Sequence, residues 1–295
     1  MTGHGPAIIV SGSSRRLRVL LRSWERLRRN PTALAGTLVF FFFLFTAIFG
    51  TLVAPYGFQA QDIAARLMPP GSLHLFGTDQ YGRDIFSRVL AGCRTIFLLS
   101  GTGTLLAALI GVSIGLLSGY YGRLLDEALM RVLDVLLSFP PLLFALLLLA
   151  TVGPSVLNLL LVVTVLYVPM LARLARSMVL DLKTKEFVEA ARIRGERDVV
   201  ILFREILPNA MAPLLVEMSV RFSYSIFLVA SLGFLGLGVQ PPSPDWGLQI
   251  NEARSYFATA PWILLFPAGA ISLLVVATNL MTDGVRQVLQ PGTGR

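Results

Sequence analysis

The chain has 295 residues, 55% of them hydrophobic and 14% charged, with a mean hydropathy of +0.71. Soluble domains carry about 25% charged residues, so this deficit, together with several long uncharged runs, excludes a soluble globular protein and points to an all-α integral membrane protein. The net charge of +8 comes from arginines beside hydrophobic runs, only two of the 25 basic residues being lysine; this is the pattern of membrane orientation rather than of nucleic-acid binding.

One cysteine, Cys93, excludes an intrachain disulfide. Two distant histidines, His4 and His74, leave no material for a histidine-based metal or catalytic cluster.

Residues 1–32 carry seven arginines from Arg15 to Arg29. Leu17, Leu20, Leu21, Trp24 and Leu27 recur there at helical spacing, which predicts an in-plane amphipathic helix on an anionic membrane surface. The Arg15-Arg16 pair does not make an export signal. The apolar run after it is too long for a signal core and lacks a small-residue cleavage site.

Residues 33–54 form the first span, uncharged throughout. The arginines before it place the N-terminus in the cytoplasm. Residues 55–93 are then external, with Asp62, Asp79 and Asp84 balanced by Arg66, Arg83 and Arg88. A turn through GTDQYGRD precedes a short helix with Ile85, Phe86, Val89 and Leu90 on one face.

Residues 94–290 form the transmembrane core. The second span, about 95–118, carries Gly103, Ala107, Gly111, Gly115 and Gly119 every four residues, a stripe that lets another helix approach closely. The Gly111-Val-Ser-Ile-Gly115 match to a nucleophile elbow is spurious. An elbow needs a strand–turn–helix context and a histidine partner. A turn over 119–127 leads to the third span, about 128–150, where Pro140 and Pro141 remove backbone donors and break the helix. A broken helix at that depth either lines a cavity or is a tolerated kink. The fourth span, about 155–172, ends at Arg173 and Arg176.

The most charged stretch, 173–210, comes next, on the cytoplasmic side. A short helix over 185–194 ends at Gly195, a residue suited to a left-handed cap. A second helix carries Val199, Val200, Phe203, Ile206 and Leu207 along one side. The fifth span, about 211–237, contains Glu217 and Arg221, an i,i+4 pair. Either the pair neutralises itself or it faces a polar pathway. An external loop, 239–261, precedes the sixth span, about 262–282, with Trp246, Tyr256 and Trp262 as interface anchors. The count is six spans with both termini cytoplasmic.

Glu189-Ala190-Ala191, three residues, Gly195, and after ten more Ile206-Leu207-Pro208 resemble the cytoplasmic coupling loop of ABC importer permeases. GTDQYGRDIFSRVLAG, MRVLDVLLSFPPLL, LGFLGLGVQPPSPDWG and the APW…FP segment agree in order. Together they resemble the dipeptide/oligopeptide (nickel) permease family, on the partner that carries the GTDQ-x-GRD segment, over residues 70–290. Arg194 departs from the apolar residue common before that glycine.

The resemblance implies a type I ABC importer permease fold in the bacterial cytoplasmic (inner) membrane. It implies an ATPase-coupling surface at Glu186, Phe187, Glu189, Ala190, Ala191, Gly195, Ile206, Leu207 and Pro208. Asp134, Phe139, Pro140, Pro141, Glu217 and Arg221 are candidates for the translocation pathway or its gate. Asp79, Arg83, Asp84, Asp245 and Trp246 are candidates for contact with an external solute-binding protein. The implied partners are a second, homologous permease in a heterodimer, two cytoplasmic ATPase subunits or domains, the binding protein and the lipid bilayer.

Neither lysine follows a glycine as a P-loop requires. No cofactor is therefore expected on this chain, and ATP and Mg belong to the partner subunits. Peptides are the expected cargo, with nickel chelates, glutathione or opines as alternatives within the family. An ion-coupled secondary transporter would need inverted repeats and intramembrane carboxylates. Asp134 and Glu217 qualify as carboxylates, but no repeat accompanies them.

Overall fold

The computed structural model describes residues 30–289. The amphipathic helix expected over 15–29, and Arg295, lie outside the described residues. The described residues are helical, with nine principal helices: α1 (Pro31–Val53), α2 (Ile85–Tyr121), α3 (Arg123–Leu137), α4 (Pro141–Val152), α5 (Val156–Leu182), α6 (Glu186–Ile193), α7 (Asp198–Phe234), α8 (Trp246–Ala253) and α9 (Trp262–Leu289). Helices α1, α2, α5, α7 and α9 are each long and apolar enough to cross a membrane. The pair α3 and α4, bent by 87°, makes a sixth span if counted as one. Pro140 and Pro141 break it as expected, since the rings remove donors and Pro141 restarts the helix at its first turn.

Helix α1 begins where the Asn30 side chain accepts from the Ala33 N–H at 3.2 Å. Ala33, Gly36, Phe43, Thr46 and Gly50 line its buried face, while Phe41, Phe42, Phe45 and Leu52 point outward. Gly36 lies against α9 at Leu280 and Gly50 against the Leu90 carbonyl of α2. The first span thus packs on both the second and the last.

Four expected boundaries move. The short helix at Ile85 is the first part of α2, which runs unbroken from Ile85 to Tyr121 and is about 55 Å long at 1.5 Å per residue. The expected turn over 119–127 shrinks to Gly122 alone, at φ 64°. Helix α5 continues past Arg173 and Arg176 to Leu182 because both charges find carboxylates on α3. Arg176 donates through Nε and Nη2 to the two oxygens of Asp126, and Arg173 pairs with Asp134. The second helix of the charged loop is not separate. It is the start of α7, which passes through a π-helical turn at Ile201–Ile206 and runs on past Pro208 and Pro213. In that turn the Leu207 N–H reaches back five residues to Leu202 O, and the Asn209 amide donates to Glu205 O at 2.6 Å. These bonds keep the chain helical where Pro208 supplies no donor.

The small-residue stripe of α2 packs against α5 of the same chain. A Cβ on Gly111 would sit 2.7 Å from Val168 O, and one on Gly119 2.8 Å from Val179 Cβ, both on α5. The central layer is α2 on α5, with α7 and α9 packed around it.

An α6–α7 knob, a GTDQYGRD clamp and a cavity beside α7

Helices α6 and α7 meet at one end of the molecule. Val188 and Ala191 of α6 join Ile201, Leu202 and Ile206 of α7 in a small core beneath Leu116 and Val179. Gly195 ends α6 at φ 74°, a left-handed conformation that costs glycine nothing. Its N–H donates to Arg192 O at 2.9 Å, and the Glu196 N–H donates to Ala191 O at 3.2 Å.

The core corrects part of the sequence reading. Ala191 and Ile206 face inward, so they hold the knob together rather than meeting another protein. The apolar side that remains outside consists of Ile193, Val199, Val200 and Phe203, with Glu186, Glu189, Gly195 and Pro208 also exposed. Phe187, Ala190 and Leu207 are half-buried. The knob is tied to the bundle by Lys183, which donates to Gly119 O at 2.8 Å, and by Tyr120, which donates to Asp198 at 2.7 Å.

At the opposite end, GTDQYGRD folds as a tight clamp. Asp79 accepts from the Tyr81 and Arg83 N–H groups at 2.8 and 3.0 Å and pairs with the Arg83 guanidinium. Asp84 caps α2 by accepting from Ser87 N–H at 2.7 Å and meets His74 Nδ1 at 2.9 Å. Arg83 reaches on to Glu252 of α8 at 2.8 Å, and Arg88 lies between Asp79 and Glu252 at 3.8 and 3.5 Å. The Trp246 indole donates to Val89 O at 2.9 Å and packs edge-on against Phe43.

Asp79, Arg83, Asp84, Asp245 and Trp246 are therefore buried, none more than 6% exposed, and cannot meet a binding protein directly. Burial also removes Trp246 from the role of interface anchor. Sequence reasoning missed Arg88 and Glu252, which complete the neutral cluster. Glu252 looked like an ordinary loop acid because its partners lie more than 160 residues away.

Asp245 caps α8 by accepting from Leu248 N–H at 2.9 Å, while its second oxygen has no partner among the described residues. Burial pushes its carboxyl up from 3.8 to about 6. A raised folded-state value means that the proton stabilises the fold. That contribution is complete below pH 4 and is lost as pH rises through 6. Asp245→Asn keeps the cap without the buried charge, so its melting temperature at pH 7.5 should exceed that of the parent by an amount worth up to about 3 kcal/mol. The two should converge near pH 4 when melting is followed by tryptophan fluorescence.

The third site is a cavity of about 410 Å³ beside the mid-length of α7, lined by residues including Pro141, Tyr167, Arg221, Tyr224 and Ser231. Arg221 donates through Nε to Glu217 Oε1 at 2.6 Å, so the i,i+4 pair forms as expected. Among the other pathway candidates, Pro141 lines this cavity. Asp134 instead pairs with Arg173 at an exposed position, and Phe139 stacks on Phe144 outside the cavity lining.

Residues 111–295 match the model of the binding-protein-dependent transport system inner membrane component, and residues 20–70 that of the N-terminal transmembrane domain of oligopeptide transport permease C. The chain belongs to this family of ABC importer permeases. This permease is 38% identical over 269 residues to a dipeptide transport system permease protein of Alkalihalophilus pseudofirmus, covering 91% of this chain and 88% of that one. It is 41% identical over 269 residues to a glutathione transport system permease protein of Escherichia coli, covering 91% and 89%. Its fold is similar to that of a chain in the methionine ABC transporter MetNI, with a TM-score of 0.54 and 17% identity over 68% of this chain and 95% of that one. It is a multi-pass inner-membrane permease subunit rather than an enzyme, and it works with ATPase subunits and a binding protein.

Proposed function

We propose that this permease moves short peptides, glutathione-like tripeptides included, into the cytoplasm, and that the α6–α7 knob receives the motion of an ATPase subunit. The cargo reading is supported by relatives named for dipeptide, peptide and glutathione transport at 37–41% identity. The observation that carries the coupling reading is the knob itself. It is a small core seated on the ends of α2 and α5 and joined without a break to a membrane-spanning helix, and it leaves Ile193, Val199 and Phe203 exposed in a ring of charge. Exposed aliphatic and aromatic side chains on a charged knob suit burial in a cleft of another protein.

In this reading the knob end, with both termini, lies in the cytoplasm. The clamp end holds 55–84 and α8 rigidly to the bundle for a binding protein on the other face, which meets exposed residues such as Ile63, Leu73 and Tyr81 rather than the buried charges. A homologous permease completes a heterodimer. ATP and Mg are bound by the ATPase partners.

Gly195→Asp and Glu189→Lys test the coupling. Gly195 has open space around it, so its penalty is conformational strain plus a new charge at the docking face rather than a clash. Both variants should reach the membrane in normal amount. Peptide uptake in reconstituted vesicles should fall at least about tenfold, corresponding to about 1.4 kcal/mol of lost coupling. Normal uptake by both variants would sink the knob assignment.

A further inference from the structure

We infer that Arg221 is a recognition point for the carboxylate end of the peptide in transit, with Glu217 receiving its ammonium end. This rests on the peptide-permease reading above and assigns residues to it.

Arg221 lies midway along the apolar part of α7, Leu207–Phe234, about 20 Å from either end at 1.5 Å per residue. A charge at such a depth is costly to bury in acyl chains and generally faces protein or water.

The geometry of the pair separates it from the structural ion pairs of the same molecule. Arg176 spreads Nε and Nη2 over both oxygens of Asp126, which saturates the carboxylate. Arg221 instead brings Nε and Nη2 to one oxygen of Glu217. Glu217 Oε2 and Arg221 Nη1 are left without partners among the described residues. Unlike Arg88, which is sealed at 1% exposure, both members remain partly accessible, with side chains 18% and 24% exposed. Arg221 lines a cavity whose volume suits a small ligand and whose other walls are mostly apolar or aromatic, and Glu217 sits one helical turn away on α7, held to Arg221 by the pair. The guanidinium also lies 5.5 Å from the Tyr224 ring centroid, which holds its plane while leaving its edge free.

These features suit a zwitterion. A peptide carboxylate can take the guanidinium fork from Glu217, and the released Glu217 can then accept the peptide ammonium. The two charges of the site are matched by two opposite charges of the cargo, so the net charge of the cavity is the same before and after the exchange. That removes the cost of leaving an uncompensated charge at mid-membrane depth. Arginine suits the task because it engages carboxylates bidentately and keeps its charge throughout.

The test uses the whole transporter in liposomes, with its companion permease, ATPases and binding protein. The probes are radiolabelled alanine-containing di- and tripeptides, which are zwitterions of zero net charge. Arg221→Gln should lower uptake per ATP hydrolysed by about tenfold, with Arg221→Lys recovering to within about threefold of the parent, since an ammonium still pairs with a carboxylate. A second readout avoids reliance on transport rate. The Ser231→Cys thiol, on the cavity wall, should react with a sulfonated thiol reagent more slowly when peptide is present, and Arg221→Gln should abolish that protection. The native Cys93 is buried and adds no background. Parental uptake by Arg221→Gln, or unchanged peptide protection in it, overturns the inference and leaves the peptide reading standing. Failure of Arg221→Gln to co-purify with the companion permease shows a structural link and also overturns it. An unmodified transporter that takes up none of these peptides overturns the peptide reading first, and this inference with it.

Discussion

Arg88→Ala is expected to destabilise the isolated permease by about 3–5 kcal/mol, the range for breaking a buried ion pair by removing one partner. Arg88 is 1% exposed and lies between Asp79 and Glu252, the two acids of the GTDQYGRD clamp. Without it, Arg83 alone must balance both carboxylates at a largely buried site. The helix start, the GTDQYGRD turn and α8 are all anchored on this cluster, so the loss should loosen all three together. Fluorescence-detected size exclusion after heating would show a large drop in melting temperature. A paired replacement, Arg88→Leu with Glu252→Leu, still leaves Asp79 and Arg83 to balance each other and should recover a substantial part of the loss. A paired variant no better than Arg88→Ala would show that the cluster is not held by charge balance.

Gly115→Leu should be nearly as damaging, by a different mechanism. A Cβ there would lie 2.4 Å from Ala172 O, 2.6 Å from Ala175 Cβ and 2.8 Å from Arg176 N. Two of those three atoms are backbone, so relief requires α2 and α5 to move apart rather than a rotamer change. Overpacking of this kind costs about 1–3 kcal/mol and sometimes more. Separation would also pull Arg176 from Asp126 and Lys183 from Gly119 O, disturbing the seat of the knob. Lower stability and weakened coupling should therefore appear together. Gly269→Leu, which meets open space on α9, is the matched control.

The spans were legible because length and apolarity suffice to identify them. The bent third span was legible from two prolines. The Gly195 cap and the Glu217–Arg221 bridge were legible because each is a local effect within a few residues. Helix ends were not. Arg83, Arg88, Arg173 and Arg176 look like places where a span must stop, yet α2 starts before Arg88 and α5 continues beyond Arg176. Partners distant in sequence neutralise those charges, and hydropathy contains no trace of them. The same blindness placed Asp79, Asp84, Asp245 and Trp246 on the surface. Their polarity was visible in the sequence, whereas their burial depends on how α8 folds back onto α2. On the knob, the apolar side was found but its phase was shifted, because a π turn puts an extra residue between Ile201 and Ile206 and rotates the helix beyond it.

That turn has a mechanical consequence. Helix α7 is continuous from Asp198 to Phe234, so Arg221 lies about 35 Å from its Asp198 end at 1.5 Å per residue, with no loop between them. The π turn is the one place along that helix where the winding differs, and rewinding it to α would turn everything beyond it by about 100°. Under the proposed coupling, that surplus residue sets how far a movement of the knob would turn the helix beyond it.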